Sequence, residues 1–150
     1  MINHGMLTDL LVSHVASESG QLVGDGVAPD GGGWAKGQPN QGIFVPYIAI
    51  VSSGASTVIE DFSNKVDWHV TWSARSFGGS RKQCDWIAQK CRESVDSMSK
   101  QLFGPPELLY KVINVDWEGL GAVSRVDTVN PPFWQVFDTF SLICSRVHIE

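Results

Sequence analysis

The sequence has few cysteines and no long apolar run, and each shortage excludes a class of protein. The three cysteines, Cys84, Cys91 and Cys144, are too few and odd in number for a disulfide framework. Cys84 and Cys91 fall on one predicted helix, where their spacing puts them about 10 Å apart, too far for a bridge. We therefore expect reduced, buried thiols. We also expect no membrane span, because no stretch approaches 18 consecutive apolar residues.

Basic charge is also scarce. The chain holds 11 Lys and Arg against 16 Asp and Glu, a formal net charge of -5, and no basic run is longer than Arg81-Lys82. A protein that grips nucleic-acid phosphates needs a basic face, so we do not expect one here. The start of the chain, Met1 to His4, lacks the basic region of a signal peptide, which predicts synthesis in the cytoplasm.

Patterns that carry known chemistry are missing as well. The four histidines have no metal-ligand spacing with the cysteines or with each other, and neither C-x-x-C nor H-E-x-x-H occurs. The glycines at 31–33 lack the Gly-Lys-Ser/Thr that completes a phosphate loop. We therefore expect no enzyme, no cofactor and no metal site.

Three isolated candidates are weighed against simpler interpretations. Asp116 and Glu118 are two residues apart on a predicted strand and so share a face, as in paired catalytic carboxylates, although a solvated strand end explains them too. His69 is a possible general base with no nucleophile placed beside it. Cys84 opens a predicted helix, where thiol pKa values can fall, but its place on the apolar stripe favours an inert core thiol.

Apolar periodicity predicts six elements. They are helices over about 1–17 and 80–102 and strands over 43–51, 66–75, 108–117 and 134–145. The order helix-strand-strand-helix-strand-strand predicts one α+β domain over residues 1–150, with a mostly antiparallel sheet and the helices packed on one face. Apolar residues on both faces of the last strand predict a central place in the sheet.

A glycine-rich run over about residues 24–42 interrupts this pattern. It holds seven glycines and two prolines, which predicts a long loop with neither helix nor strand. Trp34 lies in its middle and has two interpretations. Either the loop is a mobile arm that orders on a partner, or the tryptophan folds back onto its own domain.

The order of elements resembles the tail terminator proteins of long-tailed, siphovirus-type bacteriophages. In that family a Pro-containing strand like Phe44-Val45-Pro46-Tyr47-Ile48 opens a hairpin. An alternating strand like Val66-Asp67-Trp68-His69-Val70-Thr71-Trp72 follows and runs through an Arg-Ser-Phe-Gly-like turn into a long helix. The resemblance covers nearly the whole chain but rests on architecture rather than on a diagnostic motif, and the glycine-rich loop departs from it.

The resemblance implies a homohexameric ring that caps the completed tail tube and offers the interface for head or neck attachment. Its partners would be copies of itself, the tail tube protein and a head-side connector or stopper protein. DNA would pass through the lumen without specific binding, and no membrane would be involved. The protein would reside at the head-proximal end of the virion tail, after assembly in the host cytoplasm.

Ring subunits that associate head to tail need two different patches. Predicted partner-binding residues are Gly31, Gly32, Gly33, Trp34, Lys36, Gly121, Pro131 and Pro132. The alternatives are a head-completion or neck adaptor protein, and, from a different class, a small cytosolic ligand-binding domain or enzyme. A deep pocket with converging polar groups would favour the last of these.

Overall fold

The computed structural model describes residues 4–34, 43–52, 57–60, 66–106, 109–129 and 131–147. The elements, in chain order, are α1 (His4–Ser19), β1 (Leu22–Asp25), β2 (Gly33–Trp34), β3 (Phe44–Val45), β4 (Tyr47–Ser52), β5 (Thr57–Glu60), β6 (Val66–Gly78), α2 (Arg81–Asp96), β7 (Leu102–Phe103), β8 (Tyr110–Gly119), β9 (Ser124–Val126) and β10 (Phe133–Arg146). The fold is therefore a mixed one with two described helices and a sheet.

The main sheet has the strand order β1-β4-β6-β10-β8-β7, with β5 paired to β6 and β9 paired to β10. Strands β1 and β4 are parallel. The pairings of β6 with β4, β5 and β10, and of β8 with β7 and β10, are antiparallel. The prediction of a mostly antiparallel sheet is thus confirmed, and so is the central place of β10, which lies between β6 and β8.

The strict alternation along β6 gives the sheet one apolar face. Val70, Trp72 and Ala74 are fully buried, and their cross-strand partners on β10 include Leu142 and Phe140, which are buried too. Stacking of the Trp72 ring on that of Phe140, with centroids 5.9 Å apart, fills the centre of this face. Both helices contribute to the same core.

The helices bury one stripe each against that face. The buried stripe of α1 is Leu7, Leu11 and Val15, and that of α2 includes Ile87, Cys91 and Val95. These i, i+4 and i+8 steps are the spacing of one helical face, as the sequence predicts. No described helix is long and apolar enough to cross a membrane.

Capping residues determine where α2 begins. Ser80 has extended backbone, and its hydroxyl accepts a hydrogen bond from the Gln83 amide at 3.2 Å. The Gln83 side chain in turn accepts from the Gly79 amide at 2.8 Å, one residue before the position used in a standard capping box. Ser80 therefore caps the N-terminus of α2.

Several predicted boundaries differ from the structure, and the exact order of elements is not confirmed. Helix α2 ends at Asp96, and Lys100 has a positive φ of 76°, so the chain turns and forms β7 instead of continuing to residue 102. The structure adds five short strands, β1, β2, β5, β7 and β9, which the sequence analysis does not predict. Strands of two to four residues depend on their partners, so periodicity within the chain does not reveal them.

The glycine-rich run is not purely loop. It contains the end of β1 and the two-residue strand β2, which pairs with β3. Gly33 has a positive φ of 90°, and Gly32 lies against the Tyr47 ring, so close that a Cβ there would sit 2.9 Å from a ring carbon. The glycines therefore turn the chain and bring it close to β4, which lets β2 pair.

Candidate functional site

The outward face of the sheet differs from the helix-covered face in its side chains. His69, Thr71 and Ser73 of β6 occupy it, and their partners on β10 are Ile143, Ser141 and Thr139. No described helix packs on this face, since the buried stripes of α1 and α2 both join the core on the opposite side. Polar side chains of β6 and β10 thus share one surface.

A cluster of three titratable residues lies on this surface, and we call it the His-Asp-Glu cluster. It consists of His69 on β6 and of Asp116 and Glu118 on β8, and one ligand atom from each lies within 4.8 Å of the other two. His69 Nε2 is 3.6 Å from Glu118 Oε1. The histidine and Glu118 side chains are 27% and 37% exposed, whereas the His69 Nε2 atom itself is buried.

Central strand β10 brings the cluster together. Ser141 faces Thr71 on one side and Asp116 on the other. Because serine is small, the longer side chains of the flanking strands have room to converge above it. Its hydroxyl donates to Glu118 Oε1 at 2.6 Å and lies 2.8 Å from the Thr71 hydroxyl. Ser141 itself is fully buried, so its hydroxyl holds the Glu118 carboxylate oxygen from the interior side of the cluster.

The charge of the cluster is negative. The ion pairs between described residues join neither Asp116 nor Glu118 to a lysine or arginine, and His69 is the basic partner that Glu118 has. Imidazole nitrogen and carboxylate oxygens together are ligand types for divalent transition metals. The predicted shared face of Asp116 and Glu118 is confirmed, whereas the approach of His69 to them is a contact that the sequence does not predict.

The predicted partner-binding residues of the glycine-rich run pack on their own domain. The Trp34 ring meets the Phe44 ring edge-on, with centroids 5.2 Å apart. The contact continues from Phe44 to Tyr47, from Tyr47 to Phe77 and from Phe77 to Phe133. Of the two interpretations of Trp34, the structure therefore favours the one in which it folds back. Lys36 lies outside the described residues.

The remaining predicted partner-binding residues have different surroundings. Pro131 and Pro132 are half-buried and lead into Phe133, the last ring of the aromatic row that begins at Trp34. The row therefore connects the glycine-rich run with the segment that leads into β10. Gly121 lies elsewhere, against the backbone of β10 at Phe137.

Gly121 forms hydrogen bonds with Arg92 and Asp138, and we call this group of three residues the polar tie. Its amide donates to Asp138 Oδ1 at 2.8 Å, and its carbonyl accepts from Arg92 at 3.3 Å. Arg92 also forms a two-point ion pair with Asp138, with both N–O distances 2.9 Å. Asp138 is fully buried, and its carboxylate raises the pKa of the Arg92 guanidinium. Gly121 therefore has a structural role, because its backbone joins the Arg92–Asp138 ion pair.

The three cysteines are unsuited to nucleophilic chemistry. All are free and buried, as predicted. Burial raises the pKa of each thiol to about 12, and at Cys84 the nearby Asp85 carboxylate adds to the effect. Since the thiolate is the reactive form, this shift disfavours nucleophilic chemistry at neutral pH. The predicted place of Cys84 in the core is confirmed.

A shallow pocket lies between the two helices. Its volume is about 150 Å³, and it is lined by Glu18, Lys90, Glu93, Ser94 and Ser97. This lining is polar and of mixed charge, whereas ligand pockets are usually larger and mostly apolar. The pocket is therefore a weaker candidate for a ligand site than the His-Asp-Glu cluster.

In comparisons with known proteins, no family model matches the chain and no curated protein matches it. The function is therefore proposed from the described residues and from the resemblance in architecture.

Proposed function

We propose that this protein is a tail terminator of a long-tailed bacteriophage. It forms a homohexameric ring that caps the completed tail tube and provides the interface for head or neck attachment. The mixed fold with its mostly antiparallel sheet supports this proposal, as does the local resemblance of the sequence at residues 44–48 and 66–72.

The observation that carries the proposal is that some of the exposed apolar side chains lie at the two opposite ends of the sheet. At one end of the sheet, Leu22 on β1 and Val27 just after it are exposed. At the opposite end, Leu102 on β7 and Ile113 on β8 are exposed. Two different apolar patches on opposite sheet edges are what a subunit needs to join its neighbours head to tail in a closed ring.

The backbone of β8 adds to the second patch. Strand β7 pairs with β8 at Tyr110 and Lys111, and among the described strands none pairs with the outer edge of β8 beyond Val112. Ile113 is the extra residue of a β-bulge, because its neighbours Val112 and Asn114 face consecutive residues of β10. An edge strand with free backbone groups and exposed apolar side chains can accept a strand from another chain.

In this proposal the ring has three kinds of partner besides DNA. Its subunits bind each other, one ring face binds the tail tube protein, and the other binds the head-side connector or stopper. DNA passes through the lumen unbound, which the net charge of -5 favours because like charges repel phosphates. The protein assembles in the host cytoplasm and ends in the virion, at the head-proximal end of the tail.

The proposal is tested by the mass of the assembly and by one charged substitution at the β8 edge. Native mass spectrometry of the purified chain, alone and with tail tubes, is expected to give a hexamer, and electron microscopy is expected to show rings at tube ends. Ile113→Asp places a charge in the proposed subunit contact and is expected to abolish the hexamer while the circular dichroism spectrum stays unchanged.

Met6→Asp is the matched control for this substitution. Met6 is 40% exposed and Ile113 is 44% exposed, so the two variants add the same charge at similarly exposed positions. Met6 lies on α1, near a helix N-terminus where an acidic residue is well tolerated. A monomer that never forms rings with tubes, or a hexamer that persists in Ile113→Asp, contradicts the proposal. A twelve-subunit ring indicates the alternative, a head-completion or neck adaptor.

A further inference from the structure

We propose that the His-Asp-Glu cluster binds one divalent first-row transition-metal ion, of the class represented by Zn²⁺ and Mn²⁺. The ligands are His69 Nε2 and one carboxylate oxygen each of Asp116 and Glu118. This inference does not depend on the proposed ring. It departs from the expectation of no metal, which rests on ligand spacing along the chain.

The distances within the cluster suit one ion. Two ligand atoms bound about 2.1 Å from one metal, at a tetrahedral angle, lie about 3.4 Å apart. His69 Nε2 and Glu118 Oε1 are 3.6 Å apart, so this pair needs almost no movement to share an ion. The whole set spans at most 4.8 Å. Asp116 is exposed, so its side chain can rotate by the remaining distance.

The surroundings favour a metal site over a chance meeting of surface groups. The ligands stand on β6 and β8, which β10 holds at a fixed separation, and sheet positions vary less than loop positions. The buried Ser141 hydroxyl orients the Glu118 carboxylate, with the Thr71 hydroxyl behind it. Hydrogen bonds from such supporting groups hold metal-binding carboxylates in place in known sites.

Charge points in the same direction. Two carboxylates converge at this site, and no ion pair between described residues neutralises them with lysine or arginine. Like charges this close repel each other, and a bound cation reverses that repulsion. The imidazole favours a transition metal over Mg²⁺ or Ca²⁺, which prefer oxygen ligands alone. Three protein ligands leave further coordination positions for water.

Isothermal titration calorimetry of the full chain, after removal of bound metal with a chelator, tests the site. Titrated separately, ZnCl₂ and MnCl₂ are the probes, and we expect at least one to bind at one ion per chain. His69→Gln, Asp116→Asn and Glu118→Gln each remove a ligand while keeping the side-chain size similar, and each is expected to weaken binding at least tenfold. Ser141→Ala, which removes the support of Glu118, is expected to weaken it about tenfold.

Two control variants keep the cluster intact. His14→Gln removes a histidine that pairs with Ser97 between the helices, and Asp127→Asn removes an exposed carboxylate paired with Arg125. Both are expected to bind the ion as the unaltered chain does. Thermal melting with and without the ion gives a second readout, since an ion that binds the folded chain raises Tm.

Two results overturn the inference. One is the absence of saturable binding by either ion up to about 1 mM, the upper end of weak specific affinities. The other is unchanged binding in His69→Gln or Glu118→Gln with an unchanged circular dichroism spectrum, which places the ion elsewhere. If the ligand variants fail to fold, Co²⁺ added to the unaltered chain must show the visible absorption of a nitrogen- and oxygen-ligated site, and its absence also overturns the inference.

Discussion

Gly121 illustrates how a single residue position is constrained by close packing. It lies in the connection between β8 and β9, where an added Cβ would overlap the Phe137 carbonyl oxygen of β10. Gly119, two residues earlier, has no heavy atom within 4 Å of the corresponding Cβ position. Neither has a positive φ, so packing and not backbone conformation distinguishes them.

We expect Gly121→Ala to lower the free energy of unfolding by about 1–3 kcal/mol, the usual cost of forcing an atom into a filled space. Gly119→Ala is the matched control. It is expected to change the free energy of unfolding little, or to raise it by up to about 1 kcal/mol, because alanine restricts the unfolded chain. Urea denaturation of both variants measures the difference, and equal effects of the two substitutions would contradict the packing argument.

Among the elements, α2 and β10 are fastened by charge as well as by apolar packing. Arg92 of α2 and the fully buried Asp138 of β10 form the two-point ion pair, and Gly121 joins them through its backbone. The tie thus fixes the helix, the central strand and the connection after β8 to one another. Breaking a buried pair is costly, because the partner that remains has lost its neutralising charge.

We expect Asp138→Ala to lower the free energy of unfolding by about 3 kcal/mol, near the lower end for buried pairs because the Arg92 side chain is 26% exposed and can be partly hydrated. Asp127→Ala is the control. It breaks the Arg125–Asp127 pair, whose side chains are 53% and 70% exposed, and is expected to cost less than about 1 kcal/mol. Chemical denaturation compares them, and similar losses in both variants would refute a special role for the tie.

At the scale of the whole molecule, the three thiols link stability to alkaline pH. The folded chain raises the pKa of each thiol from 9.0 to about 12, mainly by burial, whereas the unfolded chain exposes it to water. The stabilising contribution is therefore complete below pH 9. It is lost as the pH rises from 9 to about 12, because the unfolded chain then releases the protons that the folded chain retains.

We expect the free energy of unfolding to fall above pH 9, with each thiol contributing about 1 kcal/mol per pH unit. Cys144→Ala is expected to reduce this slope by roughly a third, which separates the thiol effect from that of other groups titrating in the range. Urea denaturation between pH 8 and 11 measures it. A slope that is the same in Cys144→Ala, or rapid reaction of native thiols with a disulfide reagent at pH 8, would contradict this prediction.

The longer elements could be predicted from the sequence because their signals are local. Alternation along Val66–Gly78 predicts which side of that strand faces the core, and the apolar stripe does the same for His4–Ser19. Apolar residues on both faces of β10 predict its central place in the sheet. Ser80 and Gln83 mark where α2 begins, since capping depends on neighbours within one turn. Free, buried cysteines follow from their number and their place on a stripe.

Tertiary structure decided what depends on residues far apart in the chain. Leu22–Asp25 is a strand because β4 offers a parallel partner, and Gly33–Trp34 is one because β3 does. His69 lies close to Asp116 and Glu118 because β10 lies between their strands and places the small Ser141 between the longer side chains. Periodicity reports the face on which a side chain lies, whereas strand order and register determine which side chains share it, and those arise only when the sheet assembles.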